Sequence, residues 1–338
     1  MKTLVCLNPE VFEYQEREAP PSLSGRSILQ VKRIGICGTD LHAFEGTQPY
    51  FDYPRVLGHE LSGDLVEGEN ISDIKTGDKI TIMPYFHCGT CVACRHGITN
   101  CCVNMKVCGV HIDGGMTEYL SVPNYALIPG EGLSYEELAL VEPLAIGAHA
   151  IRRARVTEGE NVLVMGAGPI GLGVMEYAKL SGGKVIALDL NEGRLRFCRN
   201  FLKVDYTING AEVDVAEALR EITNGDFPTV VIDATGSGRA IAAGFSYLAH
   251  GGRYILVGLQ KGDISFSHPE FHKREATLMS SRNATREDFE TVIQSLKTGK
   301  VKALNYITHR VEFSEVKDTF SQWLNPANGV IKAMVSVG

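Results

Sequence analysis

The stretch Val162-Leu163-Val164-Met165-Gly166-Ala167-Gly168-Pro169-Ile170-Gly171 decides the fold. The apolar run, β-branched and hydrophobic on both faces, suits a strand of a parallel sheet covered on both sides. The glycines that follow form G-x-G-x-x-G, and Pro169 to Leu180 continues with Ile170, Val174 and Ala178 at helical spacing. In this strand–turn–helix setting Gly166 permits a tight turn, Gly168 lets backbone approach a pyrophosphate, and Gly171 lets helix and strand pack closely. The anion would meet unpartnered N–H groups at the helix start, where Pro169 gives up a donor that has no helical partner. The next apolar run ends at Asp189. A carboxylate about 20 residues past the turn accepts from both ribose hydroxyls and repels a 2′-phosphate, which favours NAD over NADP. Arg194 nearby could serve a phosphate instead.

Outward from this motif, residues 161–165, 184–188, 229–232 and 253–257 repeat the strand pattern with helical stretches between. Such alternation predicts a doubly wound α/β sheet. Ala234 and Thr235, and Val257, follow two of these strands and are expected to line the dinucleotide site with Gly166, Gly168, Pro169, Ile170 and Gly171. Earlier residues are different in character. Up to about residue 140 the chain is rich in Gly, Pro and short apolar runs, with strands expected at 27–31, 60–66 and 79–83. This predicts an irregular β-rich domain. After residue 281 come one helical segment, 286–296, and a strand, 333–337, too little for a domain alone. The expected organisation is therefore 1–142, 143–281 as the NAD-binding domain, and 282–338 returning to the first.

The length of 338 residues agrees with two domains. Hydrophobic residues at 44% and charged residues at 22% exclude disordered and fibrous classes. A net charge of −7 argues against a nucleic-acid partner. No apolar run of about 18 residues is present, and the N-terminal run breaks at Asn8-Pro9. That is too short for a signal segment, so a cytoplasmic protein with no membrane partner is expected.

Nine cysteines, an odd number with no export signal, point to metal rather than disulfides. Cys88, Cys91, Cys94 and Cys102 form C-x2-C-x2-C-x7-C. Four thiolates can close a tetrahedral Zn²⁺, which makes a structural site in a lobe spanning 85–105. Cys101 could substitute for Cys102, and the spacing favours Cys102. Cys6, Cys108 and Cys198 read as small hydrophobes, and Arg152-Arg153 as a solvated helix face. A second set is dispersed: Cys37 in Gly35-Ile36-Cys37-Gly38-Thr39-Asp40-Leu41-His42, His59 and Glu60 in Gly58-His59-Glu60, and Glu142 in Val141-Glu142-Pro143-Leu144. One thiolate, one imidazole and one carboxylate would leave a fourth zinc position open, although spacing alone does not bring them together.

These motifs, in this order and over nearly the whole chain, resemble zinc-dependent medium-chain alcohol dehydrogenases, and within them the polyol branch with the sorbitol and threonine 3-dehydrogenases. Residues 44–60, and Phe271-His272-Lys273 through Ser280-Ser281-Arg282-Asn283-Ala284-Thr285, look most like the bacterial L-galactonate 5-dehydrogenase group. After Gly58-His59-Glu60 the family usually continues to Val-Gly-x-Gly; here Val66-Glu67-Gly68-Glu69-Asn70 is one residue shorter.

The resemblance implies a GroES-like catalytic domain beside a Rossmann domain, two zinc ions per subunit, NAD, and oxidation of a secondary alcohol of a sugar acid or polyol by a homodimer or homotetramer. It implies that Cys37, His59 and a glutamate hold the catalytic zinc, with Glu60 ranked ahead of Glu142. It further implies that Asp40 orients the histidine and that Thr39 and His42 relay the proton. Candidates for substrate contact are Gln48, Tyr50, His111, Arg282 and Asn283, with Arg282 suited to a carboxylate.

Overall fold

A computed structural model of the chain describes residues 1–49, 51–68, 74–130 and 132–338. It divides into two compact units, residues 144–283, and residues 1–143 with 284–338.

The 144–283 unit is built on a six-stranded sheet in the order Tyr206–Asn209, Lys184–Asp189, Asn161–Met165, Val230–Asp233, Arg253–Leu256, Thr277–Ser280. Every adjacent pair is parallel. The first strand in sequence thus sits third, the order that defines a doubly wound Rossmann sheet. Leu163, Met165, Ile186, Ile208, Val231 and Tyr254 form its core, each such burial contributing about 1.5–3 kcal/mol. Asn161–Met165 has the expected bounds, the other three expected strands differ from theirs by a residue at one end or both, and Pro169–Leu180 is helical. Strand order reverses between Asn161–Met165 and Val230–Asp233, and doubly wound sheets take their ligands at the carboxyl ends of the strands at such a point.

The other unit is the β-rich one. Its main sheet runs Leu127–Pro129, Lys79–Ile82, Glu60–Glu67, Arg26–Gly35, Lys332–Ser336, Ile307–Glu312, with Tyr119–Pro123 also paired to Arg26–Gly35. The C-terminal strand lies antiparallel to Arg26–Gly35, with Met334 opposite Gly35. On the other side of that strand Gly35 is opposite Glu60. Residues far apart in sequence thereby meet around residue 35. Ring packing fixes the short helix Gly38–Phe44: Phe44 stacks on Phe12 at 5.0 Å and tilts against Phe320 at 5.1 Å. No helix among the described residues is long and apolar enough to cross a membrane.

Candidate active site

Cys37 caps the Gly38–Phe44 helix, and Asp40 in its first turn accepts from the Cys37 N–H at 2.9 Å. The other Asp40 oxygen accepts from the Gly58 N–H at 3.0 Å and lies 3.6 Å from His59 Nδ1. One buried carboxylate thus ties the Cys37 turn to the loop that carries His59. Gly58 has φ +92°, a left-handed turn open to glycine, which delivers His59 and Glu60 in succession. Glu60 begins its strand opposite Gly35, and a Cβ at Gly35 would fall 2.2 Å from Glu60 Oε2. Glycine there leaves the room that the carboxylate occupies.

The result is a cluster in which ligand atoms of Cys37, His59 and Glu60 all lie within 4.8 Å of one another. Glu142 is outside that group. It is buried at the start of the helix Val141–Ala154, and the Tyr85 hydroxyl donates to its Oε1. The residue that sequence reasoning missed is Lys332. Its ammonium, in a residue 2% exposed, donates to both Glu60 oxygens at 2.6 Å and to the Ile36 carbonyl at 3.1 Å. Tyr85 was likewise not singled out.

The electrostatics are those of a cation site. Burial alone would lower the His59 pKa, but Asp40 foremost, then Cys37 and Glu142, raise it well above its ordinary value. Burial pushes the Glu142 carboxyl up to about 7, against the pull of His59. Three buried carboxylates, Asp40, Glu60 and Glu142, and the Cys37 thiol act on His59 and Lys332, a donor-rich set that suits a divalent ion. Sulfur, imidazole and carboxylate are also the donor types that zinc takes in catalytic sites. The residues fit the ion.

Thr39 is half-buried and His42 exposed on the same helix. His42 Nδ1 contacts Thr47 Oγ1 at 3.2 Å and Glu45 Oε2 at 3.4 Å. Gln48 is half-buried, its N–H bonded to the His42 carbonyl at 3.0 Å. His111 Nδ1 accepts from the Val107 N–H at 3.0 Å. Tyr50 lies outside the described residues. Arg282 is exposed and Asn283 half-buried with φ +54°, both in the 144–283 unit.

The four cysteines of the second metal set also converge. Sγ separations are 3.5 Å for Cys91–Cys94, 3.9 Å for Cys91–Cys102 and 3.5 Å for Cys102–Cys88. Cys101 is exposed and does not belong to this group. Four sulfurs around one point leave no open position, as in structural zinc sites.

At the nucleotide turn, Gly166 has φ +98°, and a Cβ at Gly171 would lie 1.8 Å from the Gly166 carbonyl oxygen. No other residue fits either position without moving backbone. Pro169 opens the helix behind Gly168. Asp189 accepts from the Ala167 N–H at 2.7 Å and from the Asn191 N–H at 2.8 Å, so it braces the turn. Arg194 Nη1 is 4.0 Å from the same carboxylate. Ala234 and Thr235 border Gly166, and Ile170 and Val257 are half-buried nearby in the same unit. Of the residues outside these sites, Cys6, Cys108 and Cys198 are buried. Arg153 on its helix donates to the Ser280 carbonyl at 2.8 Å.

Two family models match the chain: an alcohol dehydrogenase GroES-like domain over residues 24–132 and a zinc-binding dehydrogenase over 169–298. The L-galactonate-5-dehydrogenase of Escherichia coli K12 is 43% identical over 99% of both chains. A sorbitol dehydrogenase of Halalkalibacterium halodurans is 34% identical over 90% of each. Among solved structures, the RspB alcohol dehydrogenase of Escherichia coli CFT073, complexed with NADH, superposes with a TM-score of 0.93 at 30% identity, covering 99% of each chain.

Proposed function

The chain belongs to the zinc-dependent medium-chain alcohol dehydrogenases, and from that premise we propose that it oxidises a secondary hydroxyl of a sugar acid, L-galactonate foremost. NAD accepts the hydride, so that alcohol and NAD⁺ give ketone, NADH and a proton. The observation that carries this reading is the Cys37–His59–Glu60 cluster within 4.8 Å, in a chain 43% identical to an L-galactonate-5-dehydrogenase. The 144–283 unit takes the dinucleotide, and the other unit takes the metal.

Zinc bound by Cys37, His59 and a glutamate supplies Lewis acidity that lets a substrate hydroxyl lose its proton near neutral pH. The chain's own residues do the rest. Asp40 holds Cys37 and His59 in register. Glu60, already in the cluster and set by Lys332, is the third ligand, and Glu142 stands behind it on Tyr85. Thr39 and His42 are three residues apart on one helix and so share a face. Thr39 Oγ1 accepts the substrate proton as it gives up its own, and His42, exposed beside Thr47, takes up a proton at the outer end and passes one to water. Cys88, Cys91, Cys94 and Cys102 hold the structural zinc. Gln48, Tyr50, His111 and Asn283 supply polar contacts to the substrate hydroxyls, and Arg282 pairs with the substrate carboxylate. Asp189 selects NAD, with the protein acting in the cytoplasm as a homodimer or homotetramer.

An absorbance assay at the NADH band, over aldonates, neutral polyols and threonine, tests the proposal. Turnover greatest with L-galactonate supports it. Preference for sorbitol or threonine moves the substrate to that relative's class, and NADH binding with no turnover of any alcohol would leave a non-catalytic dinucleotide binder.

A further inference from the structure

The strand Val230–Asp233 ends in a fully buried carboxylate that the chemistry above does not use. Asp233 Oδ1 accepts from the Thr235 N–H at 3.3 Å and from the Thr235 hydroxyl at 2.5 Å, and Oδ2 accepts from the Gly236 N–H at 3.1 Å. Its main-chain carbonyl takes the N–H groups of Val257 and Gly258 at 2.9 and 3.0 Å. One residue therefore fixes the loops that follow two adjacent strands.

Those loops are packed without slack. A Cβ at Gly258 would fall 2.2 Å from Gly236 N and 2.8 Å from Asp233 Oδ2, and one at Gly236 would fall 2.8 Å from the Leu259 carbonyl oxygen. They also abut the dinucleotide turn. A Cβ at Gly166 would lie 3.0 Å from Thr235 Cγ2, and the Ala234 N–H donates to the Met165 carbonyl at 2.8 Å. Strand order reverses here, and α/β sheets take their ligands at such a point.

We propose that Asp233 is a positioning residue for NAD, setting residues 234–236 and 257–258 against the Gly166 turn and acting on the dinucleotide through that backbone. The inference rests on the dinucleotide reading of the Gly166 turn. It needs a carboxylate specifically. Both oxygens accept, and an amide offers one acceptor and one donor group. Whichever way an asparagine turned, its NH2 would face either the Thr235 N–H or the Gly236 N–H, leaving a backbone donor unmatched. Glutamate, one methylene longer, would carry its oxygens past the Thr235 and Gly236 N–H groups that Asp233 meets.

The test is NADH fluorescence titration of the zinc-loaded full chain. Asp233→Asn is expected to raise the Kd for NADH by about tenfold, the scale of one stranded donor. The KM for NAD should rise by a similar factor while kcat at saturating NAD stays within about twofold. With Thr235→Ser as the control that keeps the hydroxyl, Thr235→Val removes one donor to the carboxylate and the acceptor of the Ser237 N–H. It should shift Kd the same way by less, and it decides the matter if Asp233→Asn does not fold. An unchanged Kd in the variants that fold, with losses confined to melting temperature or kcat, would overturn the assignment. No NADH binding by the unaltered enzyme would instead overturn the dinucleotide reading, and this inference with it.

Discussion

Lys332 and Glu60 are 272 positions apart in the chain, and their charged groups meet at 2.6 Å in a site closed to solvent. Glu60 is the principal counter-charge of the lysine. Removing one member of a buried pair leaves an unpaired charge and costs about 3–5 kcal/mol. Lys332→Met should therefore lower the melting temperature sharply in chelator-treated protein. Added zinc should recover much of the loss, because the ion supplies positive charge beside Glu60. Differential scanning calorimetry with and without zinc reads both effects; equal losses in the two states would contradict a metal at this carboxylate.

Glu160 offers a pH-dependent counterpart in the other unit. Its carboxylate accepts from Arg253 at 2.7 and 2.8 Å, from Thr229 Oγ1 at 2.9 Å and from the Thr157 N–H at 2.8 Å. Burial pushes its pKa up, but Arg253 and the other donors outweigh burial and hold it below its ordinary value. A folded-state value below the unfolded one of about 4.3 means the stabilisation is complete above that pH. It is lost as pH falls through the depressed folded value. Glu160→Gln should cost about 2 kcal/mol at neutral pH, and its melting curve should converge with the parent's on acidification. Parallel curves down to pH of about 3 would count against this.

The cysteine lobe makes a separate demand on metal. With Cys91 Sγ 3.5 Å from Cys94 and 3.9 Å from Cys102, Cys91→Ser should remove one zinc equivalent per chain by elemental analysis. Stability should fall with it, since binding energy at a structural site is folding energy. Full metal content in the variant would argue that the lobe holds none.

We propose that cofactor choice turns on Asp189. Its carboxylate braces the turn through the Ala167 N–H at 2.7 Å and stands 4.0 Å from Arg194. Asp189→Ala should raise the KM for NAD by about tenfold and lower that for NADP, because the repulsion of a 2′-phosphate goes and the arginine remains. Initial rates with each dinucleotide measure it, and an unchanged preference would assign selection to another residue.

These sites were unequally legible in the sequence. The glycines at 166, 168 and 171 carry their reason locally, since turn, approach and packing all act within one strand–turn–helix unit. The dense cysteine spacing works the same way. Lys332 could not be read, because a lysine at a strand end ordinarily faces water. Only the pairing of the C-terminal strand with Arg26–Gly35 brings it under Glu60. Asp233 was hidden for a similar reason: its meaning lies in donors from the loop after its own strand and from the loop after the next. Only the family resemblance ranks Glu60 ahead of Glu142 in the sequence. The fold separates them, giving one a lysine and a place beside Cys37 and His59, and the other a tyrosine.

The most direct test of the redox account is NAD-dependent turnover of Cys37→Ala, with zinc content and NADH affinity measured on the same sample. Loss of turnover and of one zinc equivalent, with NADH still bound at the parent's affinity, is the expected result. Undiminished turnover would contradict a catalytic metal at Cys37, His59 and Glu60.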